Sequence, residues 1–160
     1  MAGLIGTLAG CGYQPVYGGQ QTRYAVEPGH YSTASFEAVQ SAVAGVRNEL
    51  GTARALGSGP RVIVEILRVD ERSIGVRATS DAPLARGSEI VVVGRALVYD
   101  KPEGPARLDT GDVSRAAQYA SGVSASADAA ARTRAVRDAA RSVGKALGRV
   151  VLGLPEPAEG

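Results

Sequence analysis

Apolar residues recur along this chain with two periods. Phe36, Val39, Val43, Val46 and Leu50 stand alternately three and four apart, which draws one stripe down a helix. Ser35 is placed to cap that helix, Glu37 suits the positive end of its dipole, and Gly51 can take a left-handed stop. Towards the end of the chain Val136, Ala140, Val143, Leu147, Val150 and Leu154 recur at helical spacing. Ser126 is the expected cap of this second helix, with Asp128 in its first turn and Pro155 as its stop.

Between the helices the period falls to two. In 61–70, Val62, Val64 and Ile66 share one face and Ile63, Glu65 and Leu67 the other. The second face is partly apolar, so it is expected to meet something besides water. In 88–100, Val91, Val93, Leu97 and Tyr99 are expected to point inward, with Arg95 out of pattern and Gly94 a bulge. Arg23 to Val26 alternates as a short first strand, ended by Glu27-Pro28-Gly29. Segment 55–60 reads as a loop, 71–87 as a strand extension and then a loop, and 101–105 as a turn. Segment 108–119 reads as a weaker meander strand. The order is β-α-β-β-β-α. It predicts an α+β fold: a two-layer sandwich of about four mostly antiparallel strands with both helices on one face. The other sheet face is left to solvent or to a partner.

Composition narrows the function classes. The 160 residues suit one domain. With 44% hydrophobic residues, no Trp and one Phe, the core must be built from Val, Leu, Ile and Ala. Eighteen basic against 16 acidic residues is too balanced for a dedicated nucleic-acid binder. A single Cys and a single His exclude a Cys/His zinc site or a disulfide within one chain. No apolar run reaches the roughly 18–20 residues of a membrane-spanning helix.

The first ten residues carry no charge, and Ala2 to Ala9 is small and mostly apolar, like a short signal-peptide core. It runs into Leu8-Ala9-Gly10-Cys11, which looks like a bacterial lipobox. There the thiol is alkylated by a diacylglyceryl group, a peptidase that needs small residues cuts before it, and the freed amine is acylated, for instance with palmitate. Cys11 is therefore the expected lipid attachment site. Gly12, where some lipoproteins carry Asp, permits the outer membrane. The expected organisation is a removed signal peptide 1–10, a lipidated tether 11–22, one domain 23–154 and a flexible tail 155–160.

Residues that carry chemistry are sparse. No glycine-rich phosphate loop follows a strand, and no Gly-x-Ser-x-Gly elbow occurs. The carboxylates are scattered, and His30 sits beside Gly29 in a turn, where it is expected to be solvated. No enzyme activity, metal or cofactor is expected. The cations are less even. The second helix carries Arg132, Arg134, Arg137, Arg141, Lys145 and Arg149 against Asp128 and Asp138. Arg137, Arg141, Lys145 and Arg149 stand four apart and form a basic stripe, which suits a solvated face or, as a functional reading, an anionic partner such as a phosphorylated lipid along a long interface. A second set, Arg72, Arg77 and Arg86, falls in or beside the 71–87 segment. Surface loops carry function more often than helix backs do, so this set is a candidate binding patch, with ordinary solubility as the alternative.

Three stretches resemble the lipopolysaccharide-assembly lipoprotein LptE family. One is Leu8-Ala9-Gly10-Cys11-Gly12-Tyr13-Gln14-Pro15-Val16-Tyr17-Gly18, similar to that family's lipobox and the Gly-aromatic-x-Pro-aliphatic-Tyr-Gly that follows it. The second is the Leu97-Val98-Tyr99-Asp100 strand with its turn and a strand ending near Tyr119. The third is the Ala- and Arg-rich helix from Asp128. The resemblance implies a four-stranded sheet with two helices on one side. It implies a periplasm-facing, outer-membrane lipoprotein that plugs the LptD barrel and takes part in delivering lipopolysaccharide to the cell surface. Lipopolysaccharide and the barrel are the expected partners, and Arg72, Arg77 and Arg86 the expected contacts to the lipid. The competing expectation is another outer-membrane lipoprotein scaffold, such as an activator of a cell-wall synthase.

Overall fold

A computed structural model describes residues 22–29, 36–74, 87–120 and 124–155. The elements are β1 (Tyr24–Pro28), α1 (Phe36–Thr52), β2 (Leu56–Ile74), β3 (Gly87–Tyr99), β4 (Leu108–Asp109), β5 (Val113–Ala120) and α2 (Ala125–Val151). They form the expected α+β sandwich, one mixed and mostly antiparallel sheet with two helices packed on one face. β1 lies parallel to β2, β2 antiparallel to β3, and both β4 and β5 antiparallel to β3. The single meander strand expected at 108–119 is broken in two. Asp109 accepts the Gly111 N–H, and Gly111 takes φ +70°, so the chain kinks and re-enters beside the other half of β3.

The expected 55–60 loop is instead the start of β2. Its Gly57-Ser58-Gly59-Pro60 composition reads as a loop, but Gly59 lies where any side chain would strike the Arg23 carbonyl. Glycine there lets the two backbones approach.

The apolar stripes do build the core. Val39, Val43, Val46 and Leu50 of α1 are buried, while Phe36 is 66% exposed; burial begins at Ala38 and Val39. On α2, Val136, Ala140, Val143 and Leu147 are buried. Val150 and Leu154 are only half-buried, because Val151 takes the sheet-facing place in the last turn. The helices touch through small residues. A Cβ on Gly45 would strike the Arg141 carbonyl, and one on Gly144 the Ala42 carbonyl. Both helices end in the same backbone motif. The Ala55 N–H reaches the Leu50 carbonyl across Arg54 at φ 56°, and the Leu154 N–H reaches the Arg149 carbonyl across Gly153 at φ 69°. The left-handed residue of α1 is thus Arg54, three residues past the Gly51 expected for it. α2 starts at Ser124, which accepts the Ala127 N–H at 3.3 Å, two residues before the expected Ser126. Ser35, the expected cap of α1, lies outside the described residues.

β3 faces the other way from the expectation. Ile90, Val92, Ala96 and Val98, each 0% exposed, point at the helices. Val91, Val93, Leu97 and Tyr99 lie with Arg95 on the opposite face. β3 is apolar on both faces, so its alternation does not say which is inside. Size decides: Gly94 has Val143 of α2 3.1 Å from where its Cβ would be, so the face with the smallest residues receives the helix. The register shift expected at Gly94 sits opposite it in β2, between Ile66 and Arg68, and leaves Leu67 as the extra residue. That bulge reverses the phase of β2. Before it Val62, Val64 and Ile66 face the helices; after it Val69 and Glu71 do.

Candidate functional site

Two surfaces carry the functional candidates. The first is the sheet face turned away from the helices. Ile63, Leu97, Val91, Val93 and Tyr99 lie on this face across β2 and β3; Val91 and Val93 are buried, and Ile63, Leu97 and Tyr99 are half-buried. Three of its cations are matched by carboxylates on the same face. Arg95 Nε lies 2.8 Å from Glu65, Arg68 Nε 3.1 Å from Asp70, and Arg61 Nη1 3.7 Å from Glu27. Hydrogen bonding to Glu65 pushes the Arg95 guanidinium still higher than its ordinary range. The face is therefore charged in detail and nearly neutral in sum, with greasy ground between the pairs. That composition suits a long contact with another protein surface better than capture of an ion.

The second surface belongs to α2. Its N-terminal half is tied to the sheet through Glu71, which the β2 bulge turns towards the helix. Tyr119 of β5 donates its hydroxyl to Glu71, and Arg132 Nε donates to the same carboxylate at 2.7 Å. These two hydrogen bonds, Tyr119 first, hold the Glu71 carboxyl below its ordinary value, and the same contact raises the Tyr119 phenol. Arg137 is spent on Glu37 of α1. Further along, Arg141 and Lys145 are exposed and make no ion pair among the described residues. Arg149 donates from Nε and Nη2 to the Pro155 carbonyl at 3.2 and 2.9 Å. So the expected stripe of Arg137, Arg141, Lys145 and Arg149 is not one uniform basic face. One end is neutralised by α1 and the other is held in place by its own C-terminal turn.

At that second end lies a depression of about 290 Å³, lined by Ser142, Lys145, Ala146 and Arg149 of α2, Arg115 of β5 and Glu49 of α1. Arg115 and Ser142 were not legible as site residues in the sequence. The only hint was a charged residue at a helix-facing position of β5, between Val113 and Ala117.

The second expected set does not come together among the described residues. Arg72 is exposed on the open sheet face, opposite Glu89 of β3, at the far end of β2. Arg77, Arg86, His30 and the lipid-attachment candidate Cys11 lie outside the described residues. Among the described residues there is no helix long and apolar enough to cross a membrane, and no cluster of three metal-binding side chains.

No protein-family model matches the chain, and no curated protein matches it. Solved structures do. A candidate lipoprotein from Caulobacter crescentus CB15 superposes with a TM-score of 0.50 at 17% identity, over 83% of this chain and 93% of that one. The minor lipoprotein from Acinetobacter baumannii superposes with a TM-score of 0.52 at 7% identity, over 82% and 93%. At such identities, what the chain shares with both is its fold.

Proposed function

We propose that this chain is a lipid-anchored outer-membrane lipoprotein that acts without catalysis, as the plug and assembly subunit of a lipopolysaccharide translocon whose barrel is LptD. The observation that carries the reading is the anchor segment: Leu8-Ala9-Gly10-Cys11 followed by Gly-Tyr-Gln-Pro-Val-Tyr-Gly, joined to an α+β domain. Two proteins of this fold are called lipoproteins, which supports the anchor. The open sheet face supports the plug. Its half-buried Ile63, Leu97 and Tyr99, set among ion pairs, make the kind of surface that a protein wall can cover without stranding a charge.

Acylation makes the anchor firm. Each buried methylene contributes about 0.8 kcal/mol, and one chain alone holds only reversibly, so a multiply acylated Cys11 should survive salt and alkaline washes. Cys11→Ser should accumulate as a longer unprocessed form or a soluble one, and mass spectrometry should find fatty acyl groups on the native residue. An unmodified thiol in the native host would remove the anchor. Depleting the chain should lower the amount of correctly assembled barrel and the lipopolysaccharide at the surface. Normal levels of both after depletion would refute the translocon role.

A further inference from the structure

The two sides of the sheet end in differently built strands. β1 is guarded. It has five residues, a register shift after Tyr24 and Pro28 at its end, and its Val26 carbonyl accepts the Arg47 Nη2 of α1 at 2.9 Å. Shortness, irregular register, Pro and a covering side chain all keep one sheet edge from pairing with another. β5 is long, unshifted and free of Pro, Gly and Lys: its eight residues, Val113–Ala120, run in unbroken register with β3. Among the described residues β3 is the strand that pairs with it. We infer that the chain pairs with a second copy of itself along the outer edge of β5.

The backbone sets the register. The Ser114 carbonyl accepts Arg115 Nη1 at 2.7 Å, which puts it on the outer edge. In an antiparallel ladder alternate residues turn N–H and C=O outward together, so Ser114, Ala116, Gln118 and Ala120 present that edge. A copy running antiparallel and centred on Ala117 pairs Ala116 with the partner's Gln118 and Ser114 with the partner's Ala120, and the dyad repeats both pairs. Every outward residue then finds a mate, which any other register in this phase denies to at least one. Pairing exchanges the Arg115 bond at the Ser114 carbonyl for one from the N–H of the partner's Ala120. The side chains fit the same register. Ser114, Ala116, Gln118 and Ala120 are neutral and exposed on the open sheet face. On the helix side Arg115 falls opposite the partner's Tyr119, so no two cations meet across the pair. Helix polarity agrees. α2 packs on β3 and β5, with Asp128 in its first turn and Arg149 in its last. The dyad turns the two α2 helices antiparallel on one side of the joined sheet, so the acidic start of each is set towards the basic end of the other. The inference does not rest on the translocon reading. A barrel wall on the same edge would compete with the second copy, so the test uses the purified chain alone.

The test is sedimentation equilibrium of the purified full chain in mild, density-matched detergent, over about a hundredfold range of concentration. A reversible equilibrium of monomer and dimer is expected, with a dissociation constant in the micromolar range for an interface of this modest size. Ala116→Lys with Gln118→Lys places like charges directly opposite each other across the dyad and should weaken the dimer by about tenfold. Ala116→Lys with Gln118→Glu places opposite charges there and should restore it. Both positions are exposed, and circular dichroism melts identify any variant that has lost its fold. Leu97→Asp, on the open face, should leave the dimer intact, which separates edge pairing from stacking of sheet faces and from a barrel contact. A chain that stays monomeric over the whole range overturns the inference. So does a dimer that survives the doubly cationic change in a folded chain, that the charge swap fails to restore, or that is lost in Leu97→Asp.

Discussion

At the scale of single residues, two positions carry testable free energy. Arg54 occupies the left-handed corner that ends α1. A side chain there costs about 1 kcal/mol relative to glycine, because Cβ crowds the neighbouring carbonyl. Arg54→Gly should therefore stabilise the domain by up to about 1 kcal/mol, read as a higher urea midpoint with an unchanged slope. A lower midpoint would mean that the Arg54 side chain contributes more than its backbone costs. Glu71 is the second position. Its carboxyl is held below its ordinary value by Tyr119 and then Arg132. A carboxyl depressed in the folded state adds stability above its unfolded value, and that stability is lost as pH falls through the folded one. The side chain is 38% exposed, so solvent limits the contribution to about 0.2–1 kcal/mol. Glu71→Gln should destabilise at neutral pH and converge with the parent once the carboxyl is protonated. A constant gap from neutral pH to well below 4 would contradict the assignment. The placement of Glu71 could not be read from the sequence. An unbroken alternation from Val62 puts it on the open face; one extra residue, Leu67, moves it beneath α2.

At the scale of elements, the sequence was most informative where one face is apolar and the other polar. The α1 stripe, the α2 stripe and the first half of β2 are of that kind, and the expected residues are buried from Val39 to Leu50, from Val136 to Leu147 and from Val62 to Ile66, while Val150 and Leu154 at the end of the α2 stripe are not. It misled where both faces are apolar. In β3 the alternation of Val91, Val93, Leu97 and Tyr99 puts them inside, but a helix must come close to a sheet, and Gly94 and Ala96 mark where it does. The same logic explains why the helix contact was missed: Gly45 and Gly144 look like weak points until two backbones are seen to meet there. The two faces of β3 give a direct test. Val98→Asp places an unpaired charge in the sealed core, a cost of several kcal/mol against a total stability of only ~5–15, and should abolish cooperative unfolding. Leu97→Asp, one residue away on the open face, should cost no more than about 1–2 kcal/mol and leave a folded domain. Circular dichroism melts of the pair decide it, and the reverse ranking would mean that the sheet is turned over.

At the scale of the whole molecule, a βαβ unit and a long meander build one layer of strands under two parallel helices. The result has two unlike outer surfaces. The helix side carries a depression lined by Arg115, Lys145 and Arg149; the sheet side carries ion pairs among half-buried apolar residues. The fold class and element order followed from periodicity because both helices are long and amphipathic. The site did not, because Arg115, Lys145 and Arg149 converge only when β5 is laid beside β3 and α2 is laid across both. Cys11 and the cations Arg77 and Arg86 depend on segments outside the described residues, so their roles rest on chemistry and spacing in the sequence. The proposed function puts this domain, anchored through an acylated Cys11, inside a barrel. It is tested most directly by purifying the tagged full-length chain, acylated at Cys11, from native outer membranes in mild detergent. The account predicts a near-stoichiometric partner that is a large β-barrel, running faster on a gel before heating than after, and lost in Leu97→Asp. Recovery of the acylated chain with no such barrel, or with a cell-wall synthase in its place, would contradict it.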